Sequence, residues 1–112
     1  MDFINRTPHA IVIRTDNGDI TLEPTGVVAR VVTKEYTVGT VEGGIPIVKR
    51  IFGEVQGIDD LPDDAICIVS SLVLEAAKAK GVAYNLYAPD TGPTAVRDGK
   101  GQIVAVTRLI AG

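Results

Sequence analysis

The chain is 112 residues long, with 11 Lys and Arg against 14 Asp and Glu, a net charge of −3, and 46% apolar residues. That length suits one domain, spanning residues 1–112, with a single hydrophobic core, and the ordinary apolar and charged content excludes wholesale disorder and fibrous repeats. A pI near 5.0 argues against a nucleic-acid polymer or an anionic membrane as the partner.

From the N-terminus, Met-Asp-Phe-Ile-Asn-Arg-Thr-Pro-His contains no basic segment leading into an apolar stretch, and nowhere are there about eighteen continuous apolar residues, so neither export nor membrane insertion is expected. Turn signals then recur at Asp16-Asn17-Gly18-Asp19, Pro24-Thr25-Gly26, Glu42-Gly43-Gly44 and Asp98-Gly99-Lys100-Gly101, with β-branched runs between them, a rhythm that predicts antiparallel meanders. Residues 10–14 and 20–23 flank the first turn as a hairpin, and a strand over 27–33 follows with Arg30 in its middle. Residues 45–52 form another strand, at a sheet edge because Pro46 cannot donate to a ladder.

The acidic, turn-rich stretch 57–64 reads as a surface loop. Residues 65–69 are continuously apolar and predict a strand buried on both faces. After Ser70-Ser71 comes the one convincing helix, about residues 71–80: a serine cap, helix-favouring alanines, Lys78 and Lys80 at the C-terminal end, and Gly81 as a left-handed stop. Residues 82–88 and 96–98 are extended, and 102–109 pairs with the latter through the 98–101 turn, so that the C-terminus closes the sheet. The expected fold is therefore α+β, mainly antiparallel β-sheet with one α-helix.

Catalytic residue types are sparse. His9 has no second histidine with which to share a metal or relay a proton, and a local structural role at the entry to the first strand is favoured. Cys67, the single cysteine, excludes a disulfide framework and a thiolate zinc cluster and fits a reducing cytoplasm. Its Ile/Val surroundings indicate packing rather than nucleophilic use. Asp59, Asp60, Asp63 and Asp64 lack the alternating ligand spacing of a calcium loop, and neither a Walker-type nor a dinucleotide-binding glycine pattern is present. No catalytic residue, cofactor or metal site is assigned.

Two features stand above that background. Ser70 and Ser71 lie at a strand-to-helix junction, where free amides, the positive helix end and two hydroxyls suit a phosphate or carboxylate, with plain N-capping as the competing reading. Residues 88–98 form a loop stiffened by Pro89 and Pro93 that carries Asp90, Thr91, Thr94, Arg97 and Asp98. Such preorganisation lowers the entropic cost of binding, and Arg97 is suited to bidentate bonds with a phosphate. The alternative is a rigid turn whose Asp90 and Thr91 satisfy their own backbone.

Asn5-Arg6-Thr7-Pro8-His9-Ala10, Thr25-Gly26 with Ala29-Arg30, Gly44-Ile45-Pro46-Ile47-Val48, Phe52-Gly53-Glu54-Val55, Ile68-Val69-Ser70 and the Pro89-Asp90-Thr91-Gly92-Pro93-Thr94-Ala95-Val96-Arg97-Asp98 loop together resemble a family of small, functionally unassigned phage and prophage proteins. The resemblance implies a place in the cytoplasm of an infected bacterium. By analogy with oligomeric phage sponges, it implies sequestration of a small phosphorylated ligand, such as a cyclic nucleotide or an ADP-ribose-derived immune signal, by a homo-oligomer. Arg30, Ser70, Ser71, Thr91, Thr94 and Arg97 would then contact the ligand alongside Asp90, with Tyr84 or Tyr87 stacking on a base. A phage structural or assembly protein is the second expectation. The third is a hydrolase of the same signals using Asp90 or Asp98.

Overall fold

The computed structural model describes residues 2–112. Its core is a four-stranded sheet of β1 (Phe3–Asn5), β6 (Ile66–Ile68), β7 (Leu86–Pro89) and β10 (Leu109–Ala111), in the order β1-β6-β7-β10. β6 runs parallel to both β1 and β7, while β10 closes the far edge antiparallel to β7. The remaining strands are antiparallel pairs: β2 (Ile11–Thr15) with β3 (Gly18–Leu22), β4 (Arg30–Val41) with β5 (Ile45–Gln56), and β8 (Val96–Arg97) with β9 (Ile103–Ala105). The mainly antiparallel α+β fold expected from the sequence is the one observed, with two parallel ladders at its centre that turn spacing did not reveal.

Those parallel ladders explain the run 65–69. Successive residues of β6 alternate between two cores: Cys67 and Val69 face one cluster with Leu86, Ala88, Ala29 and Val55, while Ile68 faces another with Ile13, Leu22 and Val106. Burial on both faces removes the alternation that usually marks a strand. The first cluster is roofed by α1 (Ser71–Ala79), which contributes Val73, Leu74, Ala76 and Ala77. Ser70 Oγ accepts from Val73 N–H at 3.2 Å to begin the helix. At its other end, Gly81 N–H donates to Lys78 C=O at 3.1 Å and Val82 N–H to Ala77 C=O at 2.9 Å, the paired bonds of a Schellman stop. Gly81 has φ 71 there, which a side chain would strain.

The opposite face carries the β2–β3 hairpin and β9. Its turn is tighter than expected: Thr15 pairs with Gly18 and Arg14 with Asp19, so both turn-signal residues Gly18 and Asp19 belong to the strand.

The strands β4 and β5 form a 12-residue-per-strand arm. Only its base is packed, where Val31, Phe52 and Val55 meet the helix-side core. Gly57 (φ 86) fixes the exit from this base: a Cβ there would stand 2.9 Å from Val28 O and 3.1 Å from Ala29 Cα. The rest of the ribbon leaves the body, and the molecule measures 54 × 39 × 22 Å with a radius of gyration of 16.7 Å, against about 13 Å for a compact domain of roughly this length. No helix is long and apolar enough to cross a membrane.

Candidate functional site

Because β1, β6 and β7 are parallel, their carboxyl ends open along one edge of the sheet, the usual place for ligand crevices in parallel sheets. Residues 6–9, 70–71 and 90–92 emerge there. A 380 Å³ cavity lies beside this edge on the face away from α1, between β2 and β9, lined chiefly by His9, Ile11, Pro89, Thr91, Val104 and Val106. That volume falls within the range of small-molecule pockets, and an apolar wall with a few polar groups is their usual make-up.

The turn that brings His9 to the cavity is built by Asn5. Its buried amide nitrogen donates to His9 O at 2.9 Å and Leu22 O at 2.8 Å, while its Oδ1 accepts from Thr7 N–H at 2.9 Å and from the Thr7 hydroxyl at 2.6 Å. Asn-x-Thr-x-His is thus a backbone-shaping motif, with the His9 carbonyl rather than its ring at the centre of the network. Arg6 next to it is buried, donates to Asp60 at 3.2 Å, and leaves Nε and Nη1 without partners among the described residues. One member of the acidic 57–64 loop therefore closes over a buried cation, where the sequence suggested only a solvated stretch.

Asp90 lies between the lining residues Pro89 and Thr91 without lining the cavity itself, and pairs with Arg108. Asp90 is 8% exposed, accepts from Gly92 N–H at 3.0 Å, and takes a 2.5 Å hydrogen bond from Arg108 Nε. The Gly92 amide first, and then Arg108, hold its carboxyl below the usual carboxylate range. A carboxylate so stabilised is a poor proton acceptor. Arg108, 63% exposed, makes no other side-chain hydrogen bond among the described residues. Arg97 donates to Gly101 O at 2.8 Å and Thr91 O at 3.3 Å, and Thr94 O accepts from the Thr107 hydroxyl at 3.1 Å. Asp98 Oδ1 accepts from the backbone N–H groups of Lys100 and Gln102 at 2.8 and 3.0 Å.

The structure thus brings Asp90, Thr91, Thr94 and Arg97 into one loop, with Thr91 lining the cavity and Arg97 bracing the backbone. Ser70 caps α1, and Ser71 is the exposed first residue of that helix. Tyr87 packs into the second core cluster. Arg30 is exposed at the start of β4, beside the end of β1 through Ala29 N–H to Arg6 O at 2.8 Å, and makes no ion pair among the described residues. Tyr84 is exposed next to a smaller hollow lined by Ile58, Leu61 and Val82, away from the cavity. Sequence reasoning passed over His9 and Val104 as lining residues and Arg108 as the partner of Asp90. The Pro89 to Leu109 register places that pair together, and a separation of 18 residues hid it.

Cys67 is fully buried, and burial pushes its thiol up to about 11, which removes the thiolate at neutral pH. No cluster of three or more metal-ligating side chains occurs among the described residues. No family model matches the chain, and neither curated proteins nor solved structures provide a match.

Proposed function

We propose that this chain is a non-enzymatic binding protein that sequesters a small phosphorylated ligand, with a cyclic nucleotide or ADP-ribose derivative as the leading class. The observation that carries the reading is the 380 Å³ apolar cavity beside the carboxyl ends of the parallel strands. A base or sugar face suits its Ile11, Val104 and Val106 wall, His9 and Thr91 offer hydrogen bonds, and outside the lining the exposed guanidinium of Arg108, bound to Asp90 next in sequence to Thr91, supplies a cation. The resemblance to phage and prophage proteins agrees with such a role in the host cytoplasm, as an inhibitor of defence signalling. Hydrolysis is disfavoured, because Asp90 is held as a stabilised carboxylate and Asp98 is occupied by two backbone amides.

A thermal-shift screen against linear and cyclic nucleotides and ADP-ribose derivatives, followed by heat release and chromatography of the bound compound, tests this. Ligand at a hundred times its Kd adds about 2.7 kcal/mol to stability, a melting rise on the order of 10 °C for a chain of this size. The ligand should return unchanged, and Ala10→Trp, which places an indole at the exposed rim, should abolish the shift while leaving the unliganded melting temperature in place. No shift across the panel overturns the reading, and altered ligand replaces it with hydrolysis. The second reading, a phage structural or assembly protein, is favoured by the unpacked β4–β5 arm and predicts assembly beyond a dimer with no compound of the panel bound.

A further inference from the structure

Pair register divides the arm into two unlike faces. Bulges between Val31 and Thr33 and between Thr37 and Gly39 reset the alternation, so that one face carries the Glu35–Arg50 ion pair with Thr33, Thr37 and Val48. The other carries Tyr36, Val41, Ile45, Ile47 and Ile51, with Lys34 and Lys49 beside them. These five apolar side chains are between 43% (Ile47) and 59% (Ile45) exposed. A continuous apolar stripe of this kind on a monomer marks a contact surface.

We propose that this stripe is the contact surface for a second copy of the chain, the two arms packing face to face and antiparallel about a two-fold axis. Area and charge both point to that occupant. The chain exposes 7307 Å², about 1,400 Å² more than the roughly 5,900 Å² expected of a compact monomer of its mass. A standard interface takes about 800 Å² from each partner, so the surplus accommodates one such contact. An isologous contact requires the patch to complement itself, and this one does. With the axis at the paired Gly39 and Ile47, Val41 of one arm lies over Tyr36 of the other and Ile45 over the aliphatic stem of Lys49, whose ammonium reaches out to water. Glu42 at each tip then comes beside Lys34 on the partner's arm, nearer its base. Gly39 leaves open space where the two ribbons cross. The inference is independent of the cavity and of any ligand.

Sedimentation equilibrium and light scattering on the full chain should give twice the monomer mass of 11.8 kDa at micromolar concentration. Ile47→Lys should return it to the monomer with an unchanged far-UV spectrum and unchanged ligand response. The axis itself is tested by charge exchange. Glu42→Lys and Lys34→Glu should each weaken the dimer roughly tenfold, and an equimolar mixture of the two should restore it, because every tip-to-arm contact in the mixed dimer again joins opposite charges. A wild-type monomer at these concentrations, a dimer indifferent to Ile47→Lys, or a mixture no tighter than its components would overturn the proposal, as would assembly that appears only with a different protein on the stripe.

Discussion

Asp90 shows how a residue with the composition of a catalytic group becomes a brace. Its lowered carboxyl reflects stabilisation by the Gly92 amide and Arg108 in the folded chain, and the unfolded chain binds that proton near the ordinary value of about 3.9. The contribution is therefore present above that value and is lost as pH falls through the lower folded value. Asp90→Asn keeps an acceptor for Gly92 but removes the charge facing Arg108, so it should melt below wild type at neutral pH. The gap should close as pH drops through the folded value, measured by thermal denaturation from neutrality to strong acid. A gap that persists undiminished in acid would mean that packing, rather than ionisation, sets the role of Asp90. Arg97 has the side chain of a phosphate ligand, and in the folded chain its guanidinium donates to the Gly101 and Thr91 carbonyls. A sequence shows which residues are capable of a bond, but the partner is a matter of tertiary placement.

At the scale of elements, legibility followed locality. The helix start, its Lys78 and its Gly81 stop were readable because each signal acts within one turn of chain. Replacement of Ser70 by alanine removes the side-chain acceptor for Val73 N–H and should cost about 1 kcal/mol, while glycine costs only a few tenths. Chemical denaturation of the two variants distinguishes a cap from a ligand group, since a ligand group would leave stability unchanged in both. The 98–101 turn and the β8–β9 pairing were equally local. β1 was not recognised, because three residues carry no period and their partner, Ile66 to Ile68, lies some sixty positions away. The outer half of β4 was missed for another reason: the bulges between Val31 and Thr33 and between Thr37 and Gly39 reset its faces, so its apolar and polar residues keep no single period of two. The cavity was invisible for the same cause as β1, being assembled from three distant segments.

For the whole molecule, the contrast is between a body packed on both sides of one sheet and an arm anchored only at its base. Amide exchange should show it directly. Cys67, Ile68, Val69 and Leu86, buried between two clusters, should exchange with the free energy of global unfolding, and the outer arm, residues 34–51, should exchange by local fraying in dilute solution. Raising protein concentration should slow the arm alone if two arms meet, and uniform exchange at every concentration would show that the ribbon is already protected within one chain.

The parallel pairing of β1 with β6 and the closure of β7 by β10 also set an order on the ribosome. Phe3 emerges early but has no strand to join until Ile66 has been made, and the sheet is incomplete until Ala111 follows. The β4–β5 ribbon needs only its own neighbouring residues, and hairpins close in about 1–10 μs, whereas synthesis proceeds at about 5–20 residues per second. For several seconds of each round of translation, the arm is thus the longest ribbon able to form, after the shorter β2–β3 hairpin, with its isoleucine stripe uncovered before the body exists to support it. Chains growing side by side on one message would present that stripe to each other at high local concentration, so the longest ribbon available before the body folds is also the part most prone to find a neighbour.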